Sequence, residues 1–144
     1  MIPRFGKPMR PNRRYHHRPG AYAVLRRGDR ILLTLQKAPK CEFQLPGGGV
    51  DPGEPVMRAL HREVMEETGW VFRLHRKLGV FRQFAYMPDH DLWAEKLCHV
   101  YLGRPCFRLG PPTEENHVAI WMRQDIALEA LANDGARHFL SSIR

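Results

Sequence analysis

Runs of apolar and β-branched residues recur along this chain between breaks marked by Gly, Pro, Asn and Asp, and they predict strands on both sides of one helix. Ala21 to Arg27 and Arg30 to Lys37 read as two strands joined by Gly28-Asp29, a two-residue hairpin turn. Residues 38–47 read as a loop with a short extended piece at Phe43–Leu45. From Pro55 to Thr68 nothing interrupts a helix. Pro55 suits the first helical position, where no backbone N–H is needed, and Gly69 suits the left-handed residue that ends one. Val71 to Met87 holds one or two strands, Pro88 to Asp91 a turn, and Trp93 to Leu102 a further strand. Gly110-Pro111-Pro112 opens a loop, and His117 to Met122 predicts another strand. Asp125 then caps a helical run over Ile126 to Ala132, broken at Asn133-Asp134-Gly135 before a short helix over 136–143. Period-two alternation in the strands is imperfect, as expected of a sheet covered on both faces. The order places the chain in the mixed α/β class, with Trp70, Phe81, Phe84 and Trp93 assigned to the core.

Composition sharpens this. At 144 residues and 43% hydrophobic the chain has enough apolar surface for one core. No apolar run approaches the length needed to span a bilayer, so no membrane partner is expected. Cys41, Cys98 and Cys106 are odd in number and lack CxxC spacing. They read as free thiols of a reducing compartment, which together with the lack of a signal sequence predicts a cytoplasmic location.

The formal charge of +8 is unevenly placed. Residues 1–19 hold Arg4, Lys7, Arg10, Arg13, Arg14 and Arg18 with no acid, among four prolines; residues 20–144 hold 17 basic against 15 acidic side chains. The sequence therefore divides into a basic, Pro-rich, flexible tail over 1–19 and a near-neutral domain over 20–144. Arg4, Lys7, Arg10 and Arg13 recur every third residue, which aligns them on one edge of a polyproline II segment able to meet a nucleic acid backbone. A disordered, solubilising extension explains the same composition.

The helix carries the chemistry. Glu63, Glu66 and Glu67 are spaced i, i+3 and i+4, within an arc of about 100°. Like charges at these spacings repel, and acids near a helix C-terminus oppose its dipole. A divalent cation with a preference for hard oxygen ligands turns that repulsion into binding. A solvated acidic face, with Arg62 paired to Glu66, accounts for three glutamates taken alone.

The surrounding residues go further. Gly48, Glu54, Arg62, Glu63, Val64, Glu66, Glu67, Gly69 and Trp70 match G-x5-E-x7-R-E-U-x-E-E-x-G-U, U being bulky and apolar, at every position. Seven fixed identities at fixed spacing arise by chance roughly once in 10⁸ starting points. This stretch resembles the signature of the Nudix hydrolase family, and Phe43-Gln44-Leu45-Pro46-Gly47 resembles the family's usual approach to it. The signature covers 23 of 144 residues; elsewhere the resemblance is one of layout.

The resemblance implies an α/β/α sandwich with a mixed central sheet, and a hydrolase that uses Mg²⁺ or Mn²⁺ to cleave a phosphoanhydride bond. It implies Glu63, Glu66 and Glu67 as carboxylates around the metal, with Glu67 the surest ligand, and the Gly48 carbonyl as a further ligand. Glu63 or a distal glutamate is then the base. Arg62 and Glu54 would brace the helix against the preceding loop. Glu114 and Glu115 precede a strand in a layout like the family's distal acidic position, and the sequence does not choose between them. Gly47 and Gly48 allow a close approach of backbone to phosphate, and Arg82 and Lys96 are further candidates for substrate binding.

The substrate is left open among ADP-ribose, nucleoside triphosphates, oxidised nucleotides and 5′-triphosphorylated RNA. Besides a nucleotide pyrophosphohydrolase, two alternatives stand. One is a non-catalytic nucleotide- or RNA-binding domain on this scaffold; the other is a hydrolase acting on RNA 5′ ends, with the basic tail tracking the backbone. Many relatives are dimers, so a homodimer is one admissible assembly.

Overall fold

A seven-stranded mixed sheet lies between one helix and a pair of shorter ones in the computed structural model, which describes residues 1–144. The strands are β1 (His16–Arg27), β2 (Arg30–Gln36), β3 (Glu42–Gln44), β4 (Gly47–Gly49), β5 (Trp70–Met87), β6 (Leu92–Arg108) and β7 (His117–Arg123). The helices are α1 (Val56–Thr68), α2 (Gln124–Ala130) and α3 (Asp134–Ser141). The main path of the sheet runs β3-β2-β1-β6-β5, with β4 also paired to β1 and β7 to β2. β1 and β6 are parallel and the other pairs antiparallel, which makes the sheet mixed.

Strand alternation sorts the core into two layers. Ala21, Ala23 and Leu25 of β1 and Leu32 of β2 meet Leu60 and Val64 of α1, with Phe72 and Tyr101 closing that layer. Val24, Ile31 and Leu33 point the other way and meet Ala127, Leu131, Phe139 and Leu140 of the α2–α3 side. This is the expected α/β/α sandwich. No helix is long and apolar enough to cross a membrane. All three cysteines are free, Cys98 buried and the other two exposed.

Several elements differ from the sequence reading. Pro55 sits just before the helix as its cap residue, with extended ψ of 140°, so α1 begins at Val56. β1 reaches back to His16, through Pro19. Proline is tolerated there because the Pro19 carbonyl accepts from Val50 N–H, 2.9 Å away, on the edge away from β6. N and C=O of one strand residue share an edge, so its missing N–H removes nothing from the β1–β6 ladder. Gly47–Gly49, assigned to no strand from sequence, form β4, paired with Gly20 to Tyr22. Of the one or two strands expected over 71–87, the structure has one, long and bulged, over Trp70–Met87. α2 starts two residues earlier than expected, and Asn133 caps α3 through its side chain, which accepts from Ala136 N–H at 3.0 Å.

The first fifteen residues contact the sheet. Pro3 and Phe5 exchange backbone hydrogen bonds with Arg82 at the outer edge of β5, and Phe5 packs edge-on against Phe81. Tyr15 packs on Phe84, and the Arg13 guanidinium lies 4.1 Å from the centre of the Trp93 ring. Phe81 is buried as expected, whereas Trp70, Phe84 and Trp93 are half-buried.

Candidate active site

The carboxylates gather where α1 passes over β4. Arg62 organises the N-terminal side: its Nε and Nη2 each donate to Glu54, at 2.9 Å, in a bidentate pair. Its Nη1 donates to Glu63 at 2.9 Å and lies 3.5 Å from Glu66, one turn on. Glu54 also accepts from Asp51 N–H at 3.1 Å. The Arg62 hydrogen bonds, then that backbone bond, hold the Glu54 carboxyl down at about 2. One guanidinium thus ties the loop before α1 to the charged face of the helix. Lysine cannot reproduce a planar fork that serves Glu54 twice and Glu63 once. Arg62→Lys is therefore expected to lower Tm by a few degrees and kcat about tenfold or more, by thermal melts and steady-state kinetics. Equal activity would remove Arg62 from the site.

Glu63 and Glu67 point toward β4. A Cβ added to Gly48 would lie 2.7 Å from the Glu63 carboxyl carbon, so only glycine lets this backbone sit against that carboxylate. Glu67 is 6% exposed, and its Oε1 accepts from Gly47 N–H at 3.0 Å. Burial, opposed in part by that hydrogen bond and reinforced by the charges of Glu63, Glu114 and Glu66, pushes the Glu67 carboxyl up to about 8. Burial also raises Glu63, against the pull of Arg62. The charges of Glu66 and Glu114 thus bear on both Glu63 and Glu67. No three of these side chains converge into a ready-made metal cage.

Glu114 reaches this position through the end of α1. Thr113 N–H and Glu114 N–H both donate to the Glu66 carbonyl at 2.8 Å, and Leu109 N–H donates to the Gly69 carbonyl at 2.8 Å. The helix C-terminus thereby seats the loop that carries Glu114 and Glu115.

Two neighbours were not singled out from sequence as site residues. His117 opens β7, and β2–β7 pairing sets it opposite Gln36. Its Nδ1 is 2.9 Å from the Thr34 hydroxyl, and its Nε2 lies 3.7 Å from Glu67 Oε2. Burial holds the imidazole below its usual range, toward the neutral form. In the tautomer whose Nδ1 accepts from Thr34, the ring proton sits on Nε2 and faces Glu67. Tyr22 lies against Gly47 and lines the same cavity, and its hydroxyl is raised by burial and then by Cys98, Glu67 and Glu63. The only sequence signal for either contact was position on a strand; the contacts themselves are long-range.

A cavity of about 540 Å³ opens over these groups. Gly47, Gly48, Glu63 and Glu67 form one part of its wall, and Lys96, Gln83 and Asn133 line other parts. Arg82 does not reach it. That residue lies on the other face of β5, 3.7 Å from Glu95.

The NUDIX domain family model matches residues 16–143. The chain is 37% identical over 70 residues to an ADP-ribose pyrophosphatase of Methanocaldococcus jannaschii, covering 47% of this chain and 39% of that protein. The chain spans about half the length, or less, of the curated relatives it matches. Among solved structures, a NUDIX hydrolase from Nitrosomonas europaea superposes with TM-score 0.70 at 20% identity, over 88% of this chain and 87% of that one. A MutT NUDIX hydrolase from Burkholderia pseudomallei superposes with TM-score 0.65 at 28% identity, over 90% and 99% respectively. With the family match running over nearly all of the chain and the fold shared throughout, this protein belongs to the Nudix family.

Proposed function

We propose that this protein hydrolyses a phosphoanhydride bond in a nucleoside diphosphate derivative, with Mg²⁺ or Mn²⁺ as cofactor. The observation that carries the reading is Glu67: a carboxylate buried against a glycine strand, beside further carboxylates, with no lysine or arginine of its own. Such a cluster is costly in an empty protein and favourable around a cation.

The donor set fits a hard divalent ion. Glu63, Glu66, Glu67 and Glu114 offer carboxylate oxygens, and the Gly48 carbonyl stands beside Glu63. Mg²⁺ is ordinarily held by one or two carboxylates together with waters and substrate phosphates, so a closed protein cage is not required. When bound, the cation supplies charge neutralisation at the phosphates and lowers the pKa of water. Glu67 is the principal ligand in this scheme, oriented by Gly47 N–H on one oxygen and His117 beside the other. Glu63, raised by burial and held by Arg62, is positioned to take the proton of the attacking water, with Glu114 as the alternative base. Gly47 and Gly48 bring backbone, without side chains, to the cavity wall where phosphates would lie.

The test is product release from a panel of nucleoside diphosphate derivatives and nucleoside triphosphates, with Mg²⁺, with Mn²⁺ and with EDTA. Turnover of at least one compound, abolished by EDTA, is expected. Silence across the panel from folded protein with both metals would refute the reading.

A second reading concerns RNA 5′ ends. It is favoured by Arg18, which carries the basic run of residues 1–19 into the cavity wall. In that case removal of residues 1–13 lowers turnover of triphosphorylated RNA much more than turnover of the free nucleotide. Equal loss on both substrates removes its motive.

A further inference from the structure

Arg18 and Lys96 face each other in the parallel register of β1 and β6, and both line the cavity. Like charges directly opposite on neighbouring strands oppose folding. Glu95, adjacent to Lys96 in sequence, is on the opposite face with His17 and Arg82. Of the other acids lining the cavity, Asp51 lies 3.7 Å from Arg62, Glu42 accepts from Gln44 Nε2 at 2.9 Å, and Asp89 forms no ion pair. Neither Arg18 nor Lys96 has an acid within ion-pairing distance.

Their place relative to the carboxylates is fixed by the strand. Two residues on from Arg18 is Gly20, where an added Cβ would be 3.2 Å from the Gly48 carbonyl oxygen. Two residues of strand span roughly 6–7 Å. Arg18 has the strand parity of Gly20 and Val24, so the basic pair borders the cavity on the α2–α3 side of the sheet, while Glu63 and Glu67 border the same cavity from α1. A guanidinium and an ammonium side by side, half-buried and unpaired, suit one more phosphate better than a neutral sugar.

We propose that Arg18 and Lys96 form an anion subsite for a phosphate beyond the diphosphate held at the carboxylates. A nucleoside triphosphate, or another chain of at least three phosphates, then fits this cavity better than a diphosphate ending in a neutral sugar. The inference rests on the carboxylate cluster being the phosphoanhydride site, and it deepens that reading by naming the substrate class.

The test has two arms. In the first, inorganic tripolyphosphate is titrated into metal-free protein in EDTA at low salt and followed by calorimetry. Wild type is expected to bind it, and Arg18→Gln and Lys96→Gln each to weaken binding about tenfold or more. Relief of the like-charge contact predicts that both variants melt at or above the wild-type temperature, so lost binding is not lost folding. In the second arm, the ratio of kcat/KM for a nucleoside triphosphate to that for ADP-ribose falls about tenfold in each variant. Absence of tripolyphosphate binding by wild type, equal binding by the variants, or an unchanged ratio would each overturn the subsite. Were wild type to hydrolyse no nucleotide with any metal, the carboxylate reading would fail separately, and the calorimetric arm would still decide the basic pair.

Discussion

Replacing Glu67 with Gln is expected to make the metal-free protein more stable and the enzyme almost inactive. Glutamine keeps the size of the side chain and an oxygen to accept from Gly47 N–H. It removes the charge that burial, Glu63, Glu114 and Glu66 all oppose. A carboxyl raised from 4.5 to about 8 on folding holds its proton more tightly in the folded chain than in the unfolded one. The folded state then binds more protons between those two values, so stability falls as pH rises through the window and is flat above it. The accumulated cost is on the order of 4 kcal/mol at pH 8.5, a Tm difference of roughly 10 °C for a domain of this size. In EDTA, Glu67→Gln should melt well above wild type at pH 8.5 and close to it at pH 4. Mg²⁺ should raise the wild-type Tm by mass action and leave the variant nearly unmoved. Activity should fall about 10³-fold with loss of the ligand charge. A variant that melts below wild type at pH 8.5 in EDTA would show that Glu67 is not held against its charge.

The second large effect is expected at Gly69, which has no catalytic group at all. It ends α1 in the left-handed conformation, with φ of 76°. A Cβ there would lie 1.9 Å from the Gly110 carbonyl oxygen, and backbone cannot yield as a side-chain tip can. Gly69→Ala must therefore move the loop of residues 109–115 off the helix end. The move sacrifices the two N–H bonds from Thr113 and Glu114 to the Glu66 carbonyl and the bond from Leu109 to Gly69. Left-handed strain of about 1 kcal/mol and about 1 kcal/mol for each lost hydrogen bond give a loss near 3–4 kcal/mol. Chemical denaturation should report that loss, with activity falling because Glu114 leaves the cluster. Glu114→Gln is the matching control, lowering activity while leaving stability nearly intact. A Gly69→Ala protein within a few tenths of a kcal/mol of wild type would mean that the loop is not seated on α1 as described.

The sequence and the structure agree best where punctuation is strong. α1 was readable because Pro55 and Gly69 bracket an unbroken run and because three glutamates share one face. The Gly28-Asp29 hairpin was readable for the same reason. β4 was not, since three glycines carry no strand preference and pair only because β1 offers an edge beside them. The extension of β1 to His16 was hidden by Pro19 and by the basic composition around it; only the presence of β6 alongside explains it. Sequence offered no way to weigh Glu114 against Glu115 because the loop that carries both is tied by two backbone bonds to Glu66, forty-odd residues back in the chain. The placing of His117 beside Glu67 depends in the same way on the β2–β7 register. Arg82 and Lys96, alike as isolated strand cations, part company through strand alternation: Lys96 lines the cavity and Arg82 faces Glu95.

The measurement that bears most directly on the central claim is the dependence of hydrolysis on Mn²⁺, for the best substrate of the panel, with wild type and Glu67→Gln side by side. Wild-type rate should start at background in EDTA and rise to saturation with added Mn²⁺, while the variant stays near background at every concentration. Turnover that persists in EDTA, or a variant that follows the wild-type curve, would contradict the assignment of the α1 carboxylates as a metal-dependent catalytic centre.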